Sequence, residues 1–487
     1  MELSFHESFC ACLRTAVQEV RNLEQIQEIR LSDGMPDAGK ILAGWGQVIV
    51  RSKEWTGDRI CLTAGIMVWV LYAPEDGSKP RRVESWIPLK LEWDLPEDTP
   101  EGEIRVRCLT RFVDPRIVSA RRIQVRAGVG VLVEAFVPAR EAWSTAEALP
   151  REVELRKVQY PLRLPREAGE KAFLLEDELR LPESAPKPAE LIYYTVTPEV
   201  TEQRVLGDKL VFRGNTGLHL LYEGEDGLLH SWEFSYAFSQ YAELKNSYSG
   251  EAEASVSLCV TGLELEPGGS LRCSLLGQYL VEDQELLELV EDAYSPGRAL
   301  TVERRDLELP VVLESRRETV TAEQPAEGAL DVQFLPDFPR QRRMEDGVAL
   351  EIPGTFQILT LGADGTLQSS LSRWEGSMTL RADPDSRIFA VPGPVPEPQA
   401  MMGGIRLELP VEVVTTTCRG IPMVTGLEMG QEQEPDPGRP SLILRRAGQK
   451  GLWELARDCG STVDAIRRAN GLQQEPQPGQ MLLIPVL

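Results

Sequence analysis

His6, His219 and His230 are the only imidazoles available for acid–base or metal chemistry in this 487-residue chain, and none falls in an H-E-x-x-H or Cys-rich cluster. His219 and His230 flank a predicted hairpin, where structural or solvent-facing roles are expected. Cys10 and Cys12 form a C-x-C pair near His6. Such a pair holds a metal when further ligands close the shell, but no second pair is near, and a packed terminus is the plainer reading. No G-x-x-x-x-G-K-[ST] loop occurs, so any nucleotide hydrolysis belongs to a partner, and Met401-Met402-Gly403-Gly404 reads as a turn. Carboxylates are plentiful, but a glycosidase pair must face each other across about 5–10 Å, and their spacing singles out no such pair. The expectation is a chain that is not an enzyme and carries neither cofactor nor metal. Asp33, Pro36 and Asp37 form a turn just before a strand. Their carboxylates either tie down backbone N–H groups or present a contact to a partner.

Composition narrows the partners. Asp plus Glu number 76 against 52 Lys plus Arg, a formal charge of −24. That charge repels nucleic acid and anionic membranes. No run approaches the roughly 18–20 apolar residues of a membrane span, so no membrane insertion is expected. The first residues, MELSFHESFCACLRTAVQEV, lack the basic stretch and long apolar run of a secretory signal, which suggests cytoplasmic residence. Eight scattered cysteines suit reduced, mostly buried thiols.

The elements that position these residues repeat along the chain. Glu28 to Asp37 recur as Glu178 to Lys187, 150 residues on, and Gly57-Asp58 recur as Gly207-Asp208 at the same spacing. Cys108 recurs as Cys259. Between these anchors a strand, a tight turn and a second strand are expected: Ile66 to Tyr72, Glu75-Asp76-Gly77 and Val83 to Trp93 in the first unit. Leu218 to Tyr222, Gly224 to Gly227 and His230 to Phe238 follow in the second. A shorter third copy starts at Asp346-Gly347, turns at Ala363-Asp364-Gly365 and carries Trp374. Period-two runs such as Ile123, Val125, Ala127, Val129, Val131 and Val133 indicate antiparallel sheets that bury one face, packed as sandwiches. Cys108 lies in such a run and reads as a small core residue rather than a reactive thiol. The expected organisation is three β modules at 1–148, 149–300 and 301–430, an acidic proline-rich linker at 431–440 and a separate module at 441–487.

In that last module the period becomes helical. A strand over Ser441 to Arg445, a helix around Leu452, Trp453, Leu455 and Ala456 ending at Gly460, a helix capped by Ser461 or Thr462, and a strand over Met481 to Pro485 give a βααβ order. Leu452-Trp453-x-Leu455-Ala456, Ser461-Thr462-Val463-Asp464, Asn470-Gly471-Leu472 and Pro478-Gly479-Gln480-x-Leu482-x-Ile484-Pro485 make the module similar to LysM domains. That resemblance implies a shallow groove for N-acetylglucosamine polymers between two loops. The groove and partner-contact candidates are Gly448, Gln449, Lys450, Gly451, Leu452 and Trp453 on one side, and Asn470, Leu472, Gln473, Gln474, Glu475 and Pro476 on the other. Trp453 suits either sugar stacking or the module's own core.

Upstream, Leu31-x-Asp33-x-x-Pro36-Asp37-x-x-x-Ile41-Leu42, then Gly57-Asp58 and Val70-Leu71-Tyr72, resemble the SPOCS domain. SPOCS repeats followed by LysM look like spore-coat morphogenetic proteins of the SipL and SpoVID type. The resemblance implies a non-catalytic scaffold of endospore coat assembly in the mother-cell cytoplasm, at the forespore surface. Its partner would be the coat's morphogenetic ATPase or another coat protein. The alternative is a protein that binds peptidoglycan through LysM.

Overall fold

The computed structural model describes residues 2–3, 6–145, 150, 152–266, 269–345, 347–362, 365–432, 438, 440–448 and 450–487. Alternation of apolar and polar residues makes strand the dominant element. After a short β1 (Glu2–Leu3) come β2 (His6–Arg30), β3 (Ala38–Thr56), β4 (Arg59–Pro74), β5 (Arg81–Asp94), β6 (Glu103–Ser119) and β7 (Arg122–Thr145). They form two antiparallel sheets, β3-β4-β5 and β2-β7-β6. The next six strands, β8 (Glu154–Glu178), β9 (Pro188–Leu206), β10 (Lys209–Gly224), β11 (Leu229–Glu243), β12 (Glu253–Leu265) and β13 (Ser270–Tyr294), repeat the plan. Their sheets are β9-β10-β11 and β8-β13-β12.

The third stretch contains β14 (Arg298–Pro325), β15 (Ala329–Pro336), β16 (Arg340–Met344), β17 (Gly347–Leu361), β18 (Leu367–Arg381), β19 (Ser386–Pro392), β20 (Gln399–Met401) and β21 (Gly404–Glu432). Here β17 pairs with β15, β16 and β18, while β21 pairs with β14, β19, β20 and β1. The chain closes with β22 (Leu442–Arg446), α1 (Leu452–Cys459), α2 (Val463–Asn470) and β23 (Met481–Pro485), and β22 pairs with β23. The fold is therefore mainly antiparallel β with a βααβ module at its end. Among the described residues, no helix is long and apolar enough to cross a membrane.

The repeated sequence anchors have physical causes. Gly57 (φ 60°) and Gly207 (φ 64°) each open a two-residue hairpin turn at a position that favours glycine. The carbonyls of Asp58 and Asp208 then accept from the N–H groups of Leu95 (2.7 Å) and Leu244 (2.8 Å). In the first core, Ile60, Leu62 and Ile66 of β4 pack with Val125, Val129 and Val131 of β7. Leu210, Phe212 and Leu218 of β10 pack likewise with Leu271, Cys273 and Leu275 of β13 in the second.

The longest strands run past these cores and meet. Cys10 and Cys12 of β2, Leu162 and Leu164 of β8, Leu287 and Leu289 of β13, Leu307 and Leu309 of β14, and Ile421 and Met423 of β21 form one buried hub. Burial pushes the Cys12 thiol up to about 11, so it is uncharged at neutral pH. The ladder that pairs Arg298 with Glu432 carries both strands past two of the expected divisions, so those after residues 300 and 430 fall inside β14 and β21. The division after residue 148 lies outside the described residues, as do Asp346, Ala363, Asp364 and linker positions 433–437 and 439.

Candidate functional site

The Asp33–Asp37 turn is fastened to the first sandwich. Arg121 donates to Asp37 Oδ1 (3.1 Å) and to the carbonyls of Met35 (2.5 Å), Ser32 (2.6 Å) and Leu31 (3.2 Å). Tyr72 O–H donates to the carbonyl of Pro36 (3.0 Å), and the Glu75 N–H donates to that of Asp37 (2.9 Å). Asp33 stays exposed at the tip. In the second unit Tyr222 donates to Pro186 O (3.0 Å) and Glu225 N–H to Lys187 O (2.9 Å). What recurs is thus the Tyr–Pro bond and the backbone around it, not the carboxylate, and this explains why Lys187 is tolerated where the first unit has Asp37. Tyr72→Phe and Tyr222→Phe should each destabilise their own sandwich by about 1 kcal/mol. Chemical unfolding should read similar losses for both, and a smaller one for Asp37→Ala, whose partly exposed ion pair contributes less.

In the C-terminal module, Gly460 (φ 61°) closes α1, and Thr462 Oγ1 caps α2 by accepting from the Ala465 N–H (3.1 Å). The two expected groove loops lie side by side, and Glu475 joins them. Its Oε2 accepts from the Leu452 N–H (3.2 Å), serving as the side-chain cap that Gly451 cannot supply. Lys450 pairs with Asp458 (2.5 Å), Gly448, Gln473 and Gln474 are exposed, Pro476 is half-buried, and Gln449 lies outside the described residues. Leu452 is buried in the module's core, with Leu472 packed against it. Asn470 is fully engaged: its Nδ2 donates to Ile466 O (2.8 Å) and Leu483 O (2.7 Å), and its Oδ1 accepts from the Leu483 N–H (2.7 Å).

Trp453 points the other way, onto the β body. Its Nε1 donates to Asp292 Oδ2 (3.0 Å), and its ring meets Tyr294 edge-on at 4.8 Å. Arg457 also reaches Asp292 (2.6 Å), Glu454 pairs with Arg156 (3.1 Å), and Tyr294 O–H donates to Ser461 O (3.0 Å). Burial alone would raise the Asp292 carboxyl, but Trp453, Arg304 and Arg457 outweigh it and hold it below the usual range. The residue weighed for sugar stacking is the one that docks the module on the end of β13.

A further cluster leaves no local signal in the sequence, because its members lie up to 138 residues apart. At the contact between β10, β11 and β15, Asp331 accepts from Tyr193 O–H (2.8 Å) and Ser231 Oγ (3.2 Å) and lies 2.6 Å from His219 Nε2. Glu233 sits 2.9 Å from His219 Nδ1. His219, Ser231, Glu233 and Asp331 line a cavity of about 990 Å³ together with Glu397. Ser231, His219 and Glu233 have the order of a nucleophile, base and orienting acid, with Ser231 Oγ 3.5 Å from Nε2. Asp331 defeats that arrangement. Burial favours a neutral ring, but Asp331 and Glu233 override it and raise His219 to about 10. With Asp331 Oδ1 at 2.6 Å and Ser231 Oγ at 3.5 Å, the carboxylate is the nearer partner of Nε2, and the cluster ties β units together.

Comparison with known proteins matches residues 452–485 to the LysM domain family. No curated protein and no solved structure matches the chain. The chain thus carries a C-terminal LysM domain, which points to binding of peptidoglycan- or chitin-type glycans.

Proposed function

We propose that the protein is a non-catalytic scaffold of endospore coat assembly. In this reading the β modules are SPOCS units, and together with LysM they hold a basal-layer coat protein, such as the morphogenetic ATPase, at the forespore surface in the mother-cell cytoplasm. The observation that carries it is the use of Trp453 to fix LysM on the β body while Glu475 bridges the groove loops. Those contacts make LysM part of a rigid platform. Several weak contacts on one platform act together, because tethering raises effective concentration. Affinity capture from sporulating cells is the test: recovery of basal-layer coat protein with the full chain supports it, and capture without any coat protein sinks it.

Glycan binding is the second reading, favoured by the LysM match and by the adjacency of the two loops. Glu475→Ala should cost the module about 0.5–2 kcal/mol through loss of its helix cap. The same change unbridges the loops. Calorimetry with an N-acetylglucosamine hexamer should then read tighter binding to the variant than to the unchanged chain.

A further inference from the structure

The two edges of the small LysM sheet differ. On β23, Asn470 takes both the N–H and the C=O of Leu483, so that edge is closed. It follows that Leu483 and its register partner Leu444 form a non-hydrogen-bonded pair. Leu442, opposite Pro485, and Arg446, opposite Met481, share that phase. The N–H and C=O groups of Leu442, Leu444 and Arg446 therefore all point away from β23, and among the described residues no other strand pairs with β22.

The same residues present apolar surface. Leu442 is 48%, Leu444 64% and neighbouring Met481 50% exposed. Arg445 and Arg446 project to opposite faces at the end of the strand, and both are exposed. Residues 441–487 hold six Lys or Arg against four Asp or Glu, a basic module in a chain of formal charge −24. Docking by α1 leaves this edge outward.

We propose that β22 is a strand-addition site that accepts an extended segment of a partner protein, with apolar side chains beside Leu442 and Leu444 and a carboxylate beside Arg445 on the opposite face. Main-chain pairing supplies affinity in such a site, and alternate side chains supply specificity. The proposal rests on the scaffold reading and names the surface it would use. A basic residue on an open edge also serves simply to discourage pairing, and the experiment separates the two roles.

The test uses the full chain and a fluorescent ten-residue peptide alternating valine and glutamate, read by anisotropy. Valine opposite Leu444 pairs through its own N–H. N-methylation of the valines should therefore weaken binding at least tenfold, whereas N-methylation of the glutamates should leave it unchanged. A valine–lysine peptide should not bind. Leu444→Pro, tolerable where the N–H faces solvent, should also lower affinity at least tenfold. Leu444→Ser, which keeps the backbone edge, should preserve the contrast between the methylated peptides. Equal binding of both methylated peptides, or none by the unmethylated one, overturns the proposal. Capture of a coat protein by the Leu444→Pro chain would sink strand addition while leaving the scaffold reading standing.

Discussion

Replacing Asp331 by alanine should cost about 3–5 kcal/mol, the loss expected when one member of a buried ion pair is removed and its partner is left behind. Three donors lose their acceptor at once: the His219 ring, Tyr193 O–H and Ser231 Oγ. Hydrogen exchange across β10, β11 and β15 should read the effect, with protection lost there first and the first sandwich largely spared. Asp331→Asn keeps one acceptor oxygen but no charge, so an intermediate loss is expected. A loss below about 1 kcal/mol for the alanine variant would mean that these units are held by apolar packing alone.

The same cluster sets a pH dependence with opposite limits. His219 is raised from 6.5 to about 10, so its contribution is complete below about 6.5 and fades as pH climbs towards 10. Asp331 is lowered from 3.8: burial opposes its charge, but His219 and its other donors prevail, so its contribution is present above about 3.8 and is lost as acid protonates it. Thermal unfolding of the unchanged chain should therefore show this node contributing most between about pH 4 and 6.5. In Asp331→Ala the alkaline decline should flatten, because the imidazolium loses its nearest carboxylate and keeps only Glu233 and the more distant Glu397.

Some of this architecture is written in local pattern. The run from Ile123 to Val131 alternates because one face of β7 packs into the first core, whereas Leu132 on the other face is buried against Phe338 and Val391, which nothing in the local pattern announces. The Gly-Asp turns repeat because a tight hairpin needs positive φ at its first central residue. The βααβ order followed from a helical period bounded by Gly460, Thr462 and Gly471, all of which occupy cap positions. Distance in the chain hid the rest. Asp331 sits in an ordinary strand, and nothing near it announces that His219, 112 residues earlier, is its partner. The hub was only half legible: Cys10 and Cys12 read as a packed terminus, but not as one enclosed by β8, β13, β14 and β21. Trp453 illustrates the same limit from the other side. Helical spacing placed it on α1, but only tertiary packing decides whether its ring faces a groove or Asp292.

Tyr294→Ala should release that docking. Tyr294 joins the LysM core from the end of β13, packs edge-on against Trp453 and donates to Ser461 O, so its truncation leaves a cavity and an unmet carbonyl. Removing a buried aromatic costs about 3–5 kcal/mol, more than the few remaining ion pairs at this contact are expected to supply. Small-angle scattering should then report a longer maximum dimension, and exchange should rise over Asp292 and the Trp453 face of α1. The module itself keeps Leu455, Ala456, Ile466, Leu482 and Ile484 in its own core, so α2 and β23 should retain their protection. Asp292→Asn removes the charge that Arg457 and Arg304 approach but leaves an acceptor for Trp453, so a smaller shift in the same direction is expected. Scattering indistinguishable from that of the unchanged chain would show that LysM does not depend on this contact for its place on the β body. LysM would then not be part of a rigid platform, and its contacts would not act jointly with those of the β modules.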